Sequence, residues 1–98
     1  MFRLRQNYSY NGFSDHTTSL MYDRLQEMPE IGTLRDSFIQ ECAESGFHPC
    51  VEDFARRLHA AIEDHIDSHV ADMHAREMVK EYIQLPRWRE IAEEMLRS

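Results

Sequence analysis

Ninety-eight residues, 42% apolar and 30% charged, with three glycines and three prolines, support one hydrophobic core and argue against two domains, a disordered chain or a glycine-rich barrel. No apolar run approaches the roughly 20 residues that span a bilayer. The opening MFRLRQNYSYNGF places tyrosines and asparagines where a signal peptide carries its apolar stretch, so a cytoplasmic location is expected. Eighteen acids against eleven bases give a formal charge of −7, which disfavours direct nucleic-acid binding, since phosphates are neutralised by Lys and Arg.

In chain order, residues 1–13 read as an extended arm, with Phe2, Leu4, Tyr8 and Tyr10 at even spacing. No second strand is legible to pair with it. Gly12 breaks the arm, and Ser14 or Asp15 can cap the next segment by accepting from N–H groups two or three residues on. A first helix is predicted from about His16 to Met28, with Leu20, Met21, Leu25 and Met28 on one face. Pro29 and Gly32 are expected to end it. Thr33, followed by Asp36, is a loose capping-box variant opening a second helix, which turns Leu34, Phe38, Ile39 and Cys42 inward and stops at Gly46.

Pro49 suits the first turn of a third and longest helix. From Val51 onward, Phe54, Ala55, Leu58, Ile62, Ile66 and Met73 fall in one arc at helical periodicity. After Met73 the pattern shifts to Met78, Val79, Tyr82 and Ile83, so either the helix breaks near Ala75 or its far end meets other neighbours. Pro86 opens a last helix in which Trp88, Ile91, Ala92, Met95 and Leu96 keep a regular core rhythm. The expected architecture is an all-α, compact bundle of four or five helices, forming one domain over residues 1–98.

The stretch EDHIDSHVADMH, residues 63–74, concentrates histidines and carboxylates without a Lys or Arg. His65 and His69 are four apart and Asp72 follows at three, so one helix face can offer all three to a metal ion. Ile66 stands where a helical metalloprotease has its general base, and no Glu-x-x-His pair of a bundle-type di-metal site occurs. The simpler reading gives His65 and His69 a helix–helix contact, with ring nitrogens bonded to carboxylates or backbone. Cys42 and Cys50 fit two reduced thiols better than a disulfide framework. No cysteine-hydrolase signature surrounds them or His48. Neither enzymatic activity nor a cofactor is expected.

The acids are unevenly laid out. Asp36 to Ala55 contains Asp36, Glu41, Glu44, Glu52 and Asp53 with no base, and Leu58 to Ala75 contains Glu63, Asp64, Asp67 and Asp72, again with none. Asp36, Glu41, Glu44, Glu52 and Asp53, extended by Glu63, Asp64 and Asp67, are the candidate contact face for a positively charged partner. A Met-rich helix face (Met21, Met28, Met73, Met78 and Met95) supports a different reading, a homodimeric adaptor.

The run YNGFSDHTTSLMYDRL, Tyr10 to Leu25, resembles the opening of a family of small uncharacterised proteins of phages and other mobile elements. Those begin close to YNG-W-x-N-Y-x-T-W-N-V-x-L-W. Tyr10, Asn11, Gly12 and Thr18 match; Phe13, Asp15 and His16 stand for the Trp, Asn and Tyr, and the match ends after Thr18. The resemblance implies a setting, accessory genes of mobile DNA near counter-defence functions. Combined with the charge, it leads to an expected role as an inhibitor of anti-CRISPR or antirestriction type. Such a protein would bind a bacterial protein or ribonucleoprotein by its basic groove.

Overall fold

The computed structural model describes residues 12–97. Residues 1–11, most of the expected arm, lie outside the described residues. Five helices and no strand are present among the described residues: α1 (His16–Gln26), α2 (Pro29–Ser45), α3 (Val51–His69), α4 (Met73–Tyr82) and α5 (Trp88–Arg97). The all-α architecture expected from the periodicity is therefore present.

Local signals set most helix ends. Asp15 is extended and its carboxylate accepts from the Thr18 amide at 2.7 Å, capping α1. Helix α2 begins at Pro29, four residues before the expected Thr33 start. Proline lacks only an N–H that the first turn leaves unused, and Glu30 beside it favours the positive helix end. Thr33 is therefore inside the helix, its hydroxyl donating back to the Pro29 carbonyl at 3.4 Å. Gly46 terminates α2 at φ 78°, and the Phe47 amide reaches back to the Cys42 carbonyl at 2.9 Å, the pattern of a left-handed helix stop.

Helix α3 stops at His69, short of the expected Ala75 region, because Val70 is extended and Asp72 caps α4 by accepting from the Ala75 amide. Arg76 holds the connection by donating to the carbonyls of Val70 at 3.0 Å and Ala71 at 3.4 Å. Met73, expected in the apolar arc of α3, instead begins α4 and is 65% exposed.

One apolar cluster joins the elements. Helix α3 contributes Phe54, Leu58, Ile62 and Ile66, spaced so that successive turns present the same face. Against it lie Leu25 of α1, Ile31 and Phe38 of α2, and Ile91, Ala92 and Met95 of α5, with Phe13 before α1 and Ile83 after α4. Trp88 packs beside this cluster and donates its indole N–H to the Ile83 carbonyl at 2.8 Å, satisfying the polar end of a largely apolar ring. In α1 the inward face differs from the expected one: Leu20 is 41% exposed, whereas Thr18 and Ser19 are buried. Thr18 and Leu25 are seven apart and share a face; Leu20 lies on the opposite side.

Two glycines give opposite expectations. An added Cβ at Gly32 or Gly46 meets nothing within 4 Å, so backbone conformation alone decides. Gly32→Ala, inside α2, should stabilise by about 0.5–1 kcal/mol. Gly46→Ala, at positive φ, should cost about 1–2 kcal/mol. Urea denaturation of both variants checks the pair.

Candidate functional site

The carboxylates expected to form one contact face lie on α2 and α3, but five of the eight sit in ion pairs with Arg or Lys, three of them across helices. Glu41 of α2 accepts two hydrogen bonds from Arg57 of α3, at 3.1 and 3.2 Å. Glu52 of α3 pairs with Arg89 of α5 at 3.2 Å, and Asp67 of α3 with Lys80 of α4 at 2.6 Å. These three pairs bridge the seams between helices. Asp36 pairs with its neighbour Arg35, and Asp53 with Arg56 one turn on. Glu63 lies 3.6 Å from His59. Among the described residues Glu44 accepts only from the Gln40 amide, at 2.9 Å. Among the described residues Asp64 has no cation and no hydrogen-bond partner for its side chain. Segments base-free in sequence are thus not base-free in space, and of the eight expected positions Glu44, Glu63 and Asp64 have no Lys or Arg partner among the described residues.

The Glu41–Arg57 pair is the best organised. Arg57 also lies over the Phe38 ring at 5.0 Å, a cation–π placement. The hydrogen bonds it donates to Glu41 hold its guanidinium above the ordinary arginine value, against a smaller opposing effect of burial. Both partners are about half exposed, so solvent screening leaves such a pair with little net stabilisation, of order 0–1 kcal/mol.

The histidine site does not assemble as a chelate. His65 and His69 stack with ring centroids 4.0 Å apart, and His69 Nδ1 lies 2.9 Å from the His65 carbonyl oxygen. Asp72 is past the end of α3 and occupied as the cap of α4. No group of three or more His, Cys, Asp or Glu that could hold a metal ion occurs among the described residues. His69 is exposed at the helix end rather than inside the expected helix–helix seam, with its ring nitrogen against a backbone carbonyl of its own helix.

Cys42 and Cys50 are free. With His48 and Phe47 they line a shallow cleft of about 370 Å³ between the end of α2 and the start of α3. No hydrogen bond joins either thiol to the imidazole among the described residues. A second shallow groove, about 550 Å³, runs along Ala55, His59 and Ala60 of α3 to Gln84 and Trp88. There the His59 ring stands edge-on to Trp88 with centroids 5.2 Å apart, and its Nε2 is buried without a partner among the described residues.

The polar cluster best organised in space was not anticipated as one. The Thr18 hydroxyl donates to Asp15 at 2.8 Å and accepts from the Arg87 amide at 2.9 Å, while the Arg87 guanidinium reaches Asp15 at 3.0 Å. Ser14 donates its amide to Glu90 at 2.9 Å and its hydroxyl to the same carboxylate. This cluster fastens the start of α1 to the start of α5. Before and within this cluster, Gly12 turns the chain at φ 90°, Phe13 enters the core, and Asp15 and Thr18 bond to each other. Arg35 acts similarly at the other end, its Nε donating to the Met95 carbonyl at 2.7 Å, where a cation favours the negative helix terminus.

No helix among the described residues is long and apolar enough to cross a membrane. Comparison of the chain with protein-family models, with curated proteins and with solved structures finds no match.

Proposed function

We propose that this chain is a non-enzymatic binding protein that works in the cytoplasm. In this reading it is an accessory product of a phage or other mobile element, of anti-CRISPR or antirestriction type. It occupies the basic groove of a bacterial nucleic-acid-handling complex.

The observation that carries the reading is how the cations are used. Arg24, Arg35, Arg56, Arg57, Lys80, Arg87, Arg89 and Arg97 each sit in an ion pair, and Arg76 is bonded to backbone carbonyls. Every cation among the described residues is therefore engaged. Among these residues the charge left over is carboxylate, Glu44 and Asp64 included. Such a surface accelerates encounter with a basic partner and repels nucleic acid itself.

Capture of partners from bacterial lysate on the immobilised protein, eluted by a salt gradient, tests this. A nuclease or guide-RNA complex should be retained near 0.1 M salt and released as the screening length falls from about 10 Å toward 3 Å at 1 M. Reversing Glu44 and Asp64 to Lys should weaken that capture by about tenfold, the effect of 1.4 kcal/mol, without breaking an ion pair. Retention insensitive to both salt and reversal would reject the electrostatic mechanism.

A further inference from the structure

Helix α4 differs from the other four in burying none of its residues, although its sequence carries Met73, Met78, Val79 and Tyr82. Met73, Met78 and Tyr82 are 65%, 71% and 51% exposed, and Leu85 in the turn that follows is 61% exposed. Met78 and Tyr82 are four apart and project together from one side of the helix. The inward side is filled by other means, since Ile83 just past its end is the buried residue. An apolar face is thus left on the outside of a helix whose principal packing is against α3.

The charges of this helix are sorted. Both of its cations turn back toward the body of the protein, Lys80 to Asp67 of α3 and Arg76 to the carbonyls of Val70 and Ala71. Its carboxylates Glu77 and Glu81 have no cation among the described residues. Glu77 and Glu81 are four apart and Glu81 follows Met78 by three, so both carboxylates line one flank of the Met78–Tyr82 side. Arg76 and Lys80 neutralise the interior seam, and what faces solvent is apolar and negative.

We propose that the outer face of α4 (Met78 and Tyr82, continued by Leu85 and edged by Glu77 and Glu81) docks a basic amphipathic helix of a partner protein. The apolar stripe of such a helix packs on Met78 and Tyr82, and its Lys or Arg residues meet Glu77 and Glu81. Methionine suits this role because an unbranched, polarizable side chain adapts to differently shaped neighbours. Amphipathic helices are commonly held by anchors at i, i+3, i+4 and i+7 spacing. A second copy of this chain is a poorer occupant, because it would bring Glu77 and Glu81 to carboxylates of the same kind. The proposal deepens the reading of the chain as a binder of basic partners, and it places the contact on α4 rather than on the acids of α2 and α3.

The test uses the full-length protein, isotope-labelled, and a synthetic Leu/Lys amphipathic peptide of about 18 residues, five helical turns long. Amide shift changes on titration should concentrate in α4 and the turn through Leu85. Met78→Ser with Tyr82→Ser changes no charge and removes no buried side chain. It should weaken the peptide by at least about tenfold, or 1.4 kcal/mol. Glu77→Gln with Glu81→Gln should weaken it by a smaller factor and flatten its salt dependence. Shift changes spread over α2 and α3, or unchanged affinity in the double serine variant, would overturn the proposal. So would sedimentation as a dimer that the serine variant converts to monomer. If the peptide docks on α4 but no nucleic-acid-handling complex is captured from lysate, the functional reading fails while the docking face stands.

Discussion

Replacing Phe54 with alanine should lower the unfolding free energy by about 3–5 kcal/mol. The side chain is fully buried in α3 and faces Phe38 of α2 with ring centroids 5.2 Å apart, in a tilted arrangement. Helix α3 also makes its most extensive contact with α5, so the ring sits at the centre of the one core. Removing it forfeits the transfer energy of the aromatic group and leaves a cavity that helices held on several sides cannot close. Domains of this size have only about 5–15 kcal/mol in total, so the variant should approach the edge of folding at 37 °C. Phe54→Leu should cost much less, because most of the apolar volume is restored. Urea denaturation of the three proteins provides the measurement. A loss below 1 kcal/mol for the alanine variant would mean that α2 is not packed on α3 as described.

Thr18→Val should cost about 1–3 kcal/mol, although it preserves shape and adds apolar surface. Thr18 is fully buried, and its hydroxyl is the shared member of the cluster that links Asp15 to Arg87. Valine leaves the Arg87 amide without its acceptor and Asp15 with one donor fewer. A loss of this size shifts the melting temperature by roughly 4–8 °C for each kcal/mol. Thr18→Ser keeps the hydroxyl and should retain most of the stability, which separates hydrogen bonding from packing.

The same cluster makes part of the stability acid-sensitive. Burial pushes the Asp15 carboxyl up, but the Thr18 amide and hydroxyl and the Arg87 guanidinium together outweigh it, holding the group below its ordinary value. A carboxyl depressed in the folded state stabilises fully above its unfolded value of about 3.9 and loses that contribution as pH falls through the lower folded value. The stability gap between the wild type and Asp15→Asn should therefore be constant near neutrality and narrow below about pH 4. A gap that stays constant down to pH 2 would remove the ion pair from the account.

Much of the fold was legible because helix signals are short-range. Asp15 lies three residues from the amide it caps, and Gly46 ends its helix through bonds within a few residues. The arc Phe54–Leu58–Ile62–Ile66 repeats every turn and needs no knowledge of its neighbours. Thr18 misled the reading of α1, because a buried hydroxyl with two partners looks, in sequence, like a solvent-facing residue. The exposed side of α4 was likewise hidden: Met78 and Tyr82 have the residue types of a core, and only the placement of α3 shows that they are left outside.

The acids show the division most clearly. Composition and order alone determined that this chain is helical, negative and built around one apolar arc, since those properties depend on residue type and on spacing within a turn or two. Which carboxylates stay unpaired was decided by tertiary structure, because the cations that close on Glu41, Glu52 and Asp67 come from Arg57, Arg89 and Lys80 on other helices. Coulombic attraction acts through distance in space, and a segment without bases acquires them as soon as helices from elsewhere pack against it.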